Sequence, residues 1–190
     1  QDGIQSILIT QLSNSEELKV RQLGTITSIL KSKGLTDYAS LTPSVAGLIS
    51  KKLETSVYIQ GSIKQSGNTM RLNAQLINTK TGEALKSFQI DGTADNILPA
   101  IDSLSRMVQD FLLISVLQKE APDSEHYPMP TMSSEAYRCC IYGGKAFTKL
   151  DYTTATDMFM QALKIDSTIY GLYDGICAAY INQGLLKQAK

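Results

Sequence analysis

The chain has 190 residues, 43% of them apolar, with 18 basic and 18 acidic side chains. That length allows one ordinary domain or two small ones, and the composition is rich enough for a core and too rich for a disordered chain. A zero charge balance argues against nucleic acid as a partner, because phosphate binding needs a basic excess, and against a polybasic membrane-surface protein. The most apolar stretch, Phe111 to Leu117, is far shorter than the ~20 residues of a membrane span, although an anchor outside the chain is compatible with that. Gln1-Asp2-Gly3 has no signal-type pattern, and the ends read as those of a fragment. Cys139, Cys140 and Cys177 are an odd set with an adjacent pair, which is not a disulfide framework.

In chain order, Ile4, Ile7, Leu8 and Leu12 lie at helical spacing. Leu18 to Arg21 is a short strand candidate. Ile26, Ile29 and Leu30 suggest a second helix stopped by Gly34. Thr42-Pro43 is an N-cap followed by proline at the first helical position, opening a helix with Val45, Leu48, Ile49 and Leu53 on one face.

The period then changes from 3.6 to 2. Val57, Ile59 and Ile63 alternate with polar residues; so do Leu72, Ala74 and Leu76; a third strand runs through Phe88 and Ile90. The turns Ser66-Gly67-Asn68 and Lys80-Thr81-Gly82 join these into an antiparallel meander. A long helix is predicted from about Leu98 to Leu117, with Ile101, Leu104, Val108, Phe111 and Leu112 inward and Val116 continuing that face.

Residues 118–133 break the pattern. They hold Pro122, Pro128, Pro130 and the single histidine, His126, and read as a linker. Beyond them, helices are predicted over Tyr137–Lys149 and Thr153–Ile165, and Gly171–Gln183 restarts the first pattern. Phe147 and Ile181 are separated by the same interval as Ala155 and Ala189, whereas the match between Ile141 and Gly175 at that interval fails.

Two stretches resemble known families. Tyr142-Gly143, Asp151-Tyr152, Ala155, Phe159 and Ala162-Leu163-Lys164-Ile165-Asp166 resemble a tetratricopeptide repeat. The interval just noted is the period of that family, about 34 residues. Tyr173, Tyr180, Gly184 and Ala189 continue it, with Ser167 where a proline is usual. Cys177 takes the small-residue position of Gly143. One and a half such repeats do not bury a solenoid core, so the native protein is expected to continue past Lys190. The first part resembles the amino-terminal domain of TolB-type proteins, through Asp2-Gly3-Ile4, Gln60-Gly61-Ser62-Ile63, Ser66-Gly67-Asn68, Arg71 to Ile77 and Thr81-Gly82-Glu83. The strand that precedes the Asp-Gly helix in that family is missing here.

The expected fold is therefore α/β, a mixed sheet with an antiparallel meander and packed helices over residues 1–117. A linker over 118–133 leads to an all-α tetratricopeptide domain, cut short, over 134–190. The resemblances imply a non-enzymatic, protein-binding scaffold or regulatory module of a bacterial envelope or signalling protein. The alternative is a ligand-sensing first domain whose state the repeats relay. The periplasm or envelope is the expected location, with the cytoplasm as the alternative.

By the repeat family's pattern, the concave face carries Tyr137, Cys140, Gly144, Phe147 and Thr148 from the first unit. The second gives Gly171, Asp174, Ala178, Ile181 and Asn182. With only Asn182 among the residues that clamp a terminal carboxylate in this family, the groove suits an apolar helix or extended peptide.

Catalytic chemistry finds little support. Ser28-x-x-Lys31, Ser66-x-Asn68 and Lys80-Thr81-Gly82 match a penicillin-binding-type set in pieces. The second and third stand at opposite ends of one strand, roughly 30 Å apart. Cys139 and Cys140 point about 100° apart on a helix and do not suit one metal. Asp102 and Asp110 read as solvated carboxylates. No catalytic residue, metal site or cofactor is expected, and the partner is a protein or peptide.

Overall fold

The structure is a computed structural model that describes residues 2–21, 42–120, 131 and 133–189. The predicted helix around Ile26 to Leu30, the Ser28–Lys31 motif, His126 and the linker prolines lie outside these residues. The chain divides into two compact units, Gln1–Val108 and Gln109–Lys190. Among the described residues no helix is long and apolar enough to cross a membrane.

The first unit opens with α1 (Asp2–Ser13). Leu18 to Arg21 then follow as irregular backbone, not the predicted strand. Helix α2 (Pro43–Lys52) starts as its sequence dictates: the Thr42 side chain accepts a hydrogen bond from the Val45 amide and Pro43 fills the first turn. Ile49 is buried, but Leu48, predicted on the same face, is exposed.

Strands β1 (Val57–Ser66), β2 (Thr69–Asn78) and β3 (Ala84–Thr93) form an antiparallel sheet in the order β1-β2-β3. The meander is as predicted. The sheet is antiparallel throughout the described residues, however, so the expected mixed character is corrected: each strand returns through a tight turn, which cannot yield parallel neighbours. Gly67 takes φ 59° at the first position of the two-residue β1–β2 loop. In the β2–β3 turn, Asn78 Oδ1 accepts from the Lys80 and Thr81 amides at 2.8 and 3.2 Å.

Central strand β2 buries Leu72, Ala74 and Leu76 on one face, with Phe88 beside Ala74 on β3. Helix α3 (Leu98–Glu120) buries Ala100, Ile101, Leu104 and Val108 in this unit. Gln11 Nε2 donates to Asp102 Oδ1 at 3.4 Å, so Asp102 is a link between α1 and α3 rather than a merely solvated group.

The second unit begins inside α3, whose buried residues there are Leu113 and Leu117, while Phe111 and Leu112 are only half-buried. Helices α4 (Ser134–Thr148), α5 (Tyr152–Ile165) and α6 (Gly171–Asn182) follow. Ser133 caps α4 through the Ala136 amide, and Asp110 accepts from both the amide and the hydroxyl of Ser134 at 3.1 and 2.6 Å. Asp110, predicted as solvated, thus fixes the start of α4. Asp151 caps α5 through the Thr154 amide. The core joins Ala136, Cys140 and Ala146 of α4, Ala155, Phe159 and Ala162 of α5, and Leu172 and Ile176 of α6.

Candidate functional site

Small residues let the helices of the second unit approach around one ring. A Cβ added to Gly143 would lie 2.5 Å from Phe159 Cε1, and one added to Gly175 would lie 3.1 Å from Phe159 Cε2. Phe159 therefore stands with one edge against α4 and the other against α6. The close approach at Gly143 with Phe159 beside it is as expected from the sequence, whereas the contact of Gly175 with the same ring was not expected. The physical reason is that α5 meets the helix before it and the helix after it with different edges of the same ring. A plain offset along the chain misses the second contact.

The interval that separates Phe147 from Ile181 also separates two matching backbone turns: Leu150 and Gly184 follow α4 and α6 at φ 64° and 74°. The Leu150 amide donates to Phe147 O, and the Gly184 amide to Ile181 O, both at 3.0 Å. The Asp151 amide donates to Ala146 O at 3.0 Å, and the Leu185 amide to Tyr180 O at 2.9 Å. A Cβ on Gly143 would lie 3.3 Å from Ala155 O, and Cys177 Sγ lies 3.6 Å from Ala189 O.

The predicted groove residues separate into two sets. Tyr137 and Cys140 are each 2% exposed and belong to the core, which corrects their assignment to an open binding face. Tyr137 is covered because Leu117, with Ile114 packed beside it, joins it and Ile141 in one cluster. Cys140 lies in the cluster around Phe159. Phe147 is half-buried and meets the Tyr152 ring edge-on at 5.2 Å. Thr148 is exposed, its hydroxyl turned back to Gly144 O at 2.8 Å. Asp174, Ile181, Asn182 and Gly171 are exposed, and Gly144 and Ala178 are half-buried. The predicted residues that stay accessible include three pairs at the interval noted above, Gly144 with Ala178, Phe147 with Ile181 and Thr148 with Asn182.

Burial pushes the Cys140 thiol up to about 12, with the neighbouring Cys139 adding to the effect. Burial, and then Glu135, also raise Cys139. Burial raises the Tyr137 phenol against an opposing hydrogen bond with Gln118. Such groups are poor nucleophiles and suit packing. Among the described residues no group of three or more His, Cys, Asp or Glu is placed to hold a metal. Ser66-Asn68 and Lys80-Gly82 stand at opposite ends of β2 and share no site.

The first unit offers a different surface. The sheet face opposite the buried one carries Gln60, Gln75 and Ser87 in one cross-strand row and Ser62, Asn73 and Gln89 in the next. They line a shallow depression of about 410 Å³. In the next cross-strand row, Arg71 donates two hydrogen bonds to Asp91, of 2.7 and 2.8 Å.

No protein-family model matches the chain. The curated protein "Putative adenylate cyclase 3" of Rhizobium meliloti (strain 1021) is 26% identical to it over 168 residues, 87% of this chain and 27% of that protein. The chain thus spans about a quarter of that relative's length. A solved structure, the LpoB C-terminal domain from Salmonella enterica, is 20% identical with a TM-score of 0.38, over 43% of this chain and 61% of that one. The similarity to a protein named as a putative adenylate cyclase overturns the expectation of a non-enzymatic protein. No motif within these residues carried that similarity, and the stretch matched is a small part of the relative.

Proposed function

We propose that this chain is the regulatory, partner-binding portion of a protein of the adenylate cyclase kind. In this reading the first unit is a TolB amino-terminal-type domain and the second begins a tetratricopeptide array. The observation that carries it is the recurrence, at the repeat offset, of turn geometry, amide bonding and helix contacts from Gly143–Asp151 to Cys177–Leu185. A helical repeat of that period exposes successive first helices side by side, a surface suited to holding a peptide or helix. The similarity to the cyclase relative supports the enzymatic setting.

A protein of this kind acts on ATP, which favours the cytoplasm over the periplasm. The three free thiols at Cys139, Cys140 and Cys177 accord with a reducing compartment.

The second reading is ligand sensing by the first unit, favoured by the depression on its sheet, lined by amide and hydroxyl side chains with Lys64 at the edge. A small molecule that raises the melting temperature of the chain, and fails to do so after Asn73→Leu, would support it.

The setting is tested by incubating the natural protein that carries this chain with ATP and measuring cyclic AMP. Product formation is expected. A folded protein that forms none contradicts the cyclase part of the proposal.

A further inference from the structure

The outer face of the sheet in the first unit is built from residues that strands do not favour. Gln60 and Ser62 of β1, Asn73 and Gln75 of β2, and Ser87 and Gln89 of β3 fill two neighbouring cross-strand rows. None is β-branched or aromatic, the types that stabilise a sheet surface, and asparagine is depleted from strands. Asn73 nevertheless stands at the middle of the central strand. Sheet stability does not account for this choice of side chains.

Their hydrogen-bonding capacity is largely unused. Asn73 Nδ2 donates to Ser62 Oγ at 3.4 Å. Among the described residues, the side chains of Gln60, Gln75, Ser87 and Gln89 bond to no other protein group. Each amide offers a donor and an acceptor, and each hydroxyl can act as either. These groups converge on the depression of about 410 Å³, a volume within the range of small-molecule sites. Helix α2 bounds one end, where Tyr58 Oη would lie 3.7 Å from a Cβ on Gly47. At the other end the cross-strand row reads Lys64, Arg71, Asp91. Both carboxylate oxygens of Asp91 hold Arg71, whereas Lys64 makes no ion pair among the described residues. Of the two cations in that row, Lys64 is the one left to meet a ligand.

Such a surface suits a ligand that donates and accepts along its length and carries a single negative charge. A flat aromatic finds no ring in the depression to stack on, because the Phe88 side chain is buried on the opposite face. A polyphosphate finds too few cations. An extended peptide pairs with the edge of a sheet rather than with side chains on its face. Sugar hydroxyls donate and accept at successive carbons. The two rows stand about 7 Å apart along strands spaced about 4.8 Å, a footprint for one or two sugar rings.

We propose that the depression binds a saccharide bearing one carboxylate, with its hydroxyls on the amide rows and its carboxylate at Lys64. This rests on the reading of the first unit as a ligand sensor and names the class of ligand.

Titration of the isotope-labelled chain tests it by nuclear magnetic resonance, read at the side-chain amides of Gln60, Asn73, Gln75 and Gln89. The probes are glucuronic acid linked to glucose, cellobiose as its neutral counterpart, and a neutral dipeptide amide. The acidic disaccharide should shift all four resonances. Cellobiose should shift the same four with several-fold lower affinity, the scale of one exposed ion pair. Lys64→Gln should bring the acidic sugar down to the affinity of cellobiose and leave cellobiose unchanged. Gln75→Leu, at an exposed position, should abolish both responses without lowering the melting temperature. A lack of response to either sugar overturns the proposal, as does binding that ignores either substitution. If the dipeptide amide alone shifts these resonances, the saccharide class fails and the sensor reading stands. If none of the three probes shifts them, both fall.

Discussion

Leu150 and Gly184 share a left-handed backbone, at φ 64° and 74°, just past the ends of α4 and α6. Each follows a helix and receives the same pattern of amide bonds around it. The two differ in what that conformation costs. Glycine adopts positive φ freely, whereas leucine meets a steric penalty of roughly 1–2 kcal/mol. Leu150 is 70% exposed, so its side chain returns little packing energy. Leu150→Gly is expected to stabilise the chain by up to about 1 kcal/mol, and Gly184→Ala to destabilise it by about 1 kcal/mol. Chemical denaturation of both variants checks the opposite signs.

The contact between Gly143 and Phe159 makes a second test. In an exposed helix, Gly→Ala gains about 1 kcal/mol. At Gly143 the added methyl would lie 2.5 Å from the ring. Gly143→Ala should therefore cost about 1–3 kcal/mol, the usual range for overpacking. Gly171→Ala, whose Cβ would meet nothing within 4 Å, should be neutral or stabilising. Phe159→Ala should cost about 3–5 kcal/mol. The double variant Gly143→Ala/Phe159→Ala should fall short of the sum, because the clash disappears with the ring.

Asp151 gives a pH-dependent prediction. Its hydrogen bonds with Thr154 hold the carboxyl below the usual 3.8. A depressed carboxyl contributes stability that is present above the unfolded-state value and lost as pH falls through the folded one. Asp151→Asn keeps a capping oxygen but removes the charge, so it should flatten the stability profile below about pH 4. Asp151→Ala removes the cap as well as the charge and should lower the stability at neutral pH too. Melting temperatures measured from pH 7 down to pH 3 separate the two.

Cys140, with its thiol pushed up to about 12, should resist a thiol reagent at neutral pH in the folded chain. Cys177, half-buried, should label first. Rapid labelling of Cys140 before unfolding would contradict the packing described for α4.

The sequence carried the meander, the α2 cap and the helical hairpin around Phe159, because each rests on local patterns. It did not reveal contacts between distant residues. Tyr137 falls on the helix side that the repeat pattern leaves open. Only the packing of Leu117, on α3, shows that it is covered. Asp110 reads as a surface carboxylate until Ser134 is placed beside it. Of the predicted groove residues, Tyr137 and Cys140 therefore leave the surface for the core, while Thr148, Asp174, Ile181 and Asn182 are exposed. The link to a cyclase was not legible, because it rests on similarity to a protein and not on any motif within these residues.

The most direct test of the account measures cyclic AMP formation by the natural protein at equal expression, with and without Thr148→Arg/Asn182→Arg. Both side chains are exposed, so the fold should hold. If this face receives a partner that governs the protein's output, the rate in cells should change several-fold while that of the purified protein does not. Equal rates in cells would contradict it.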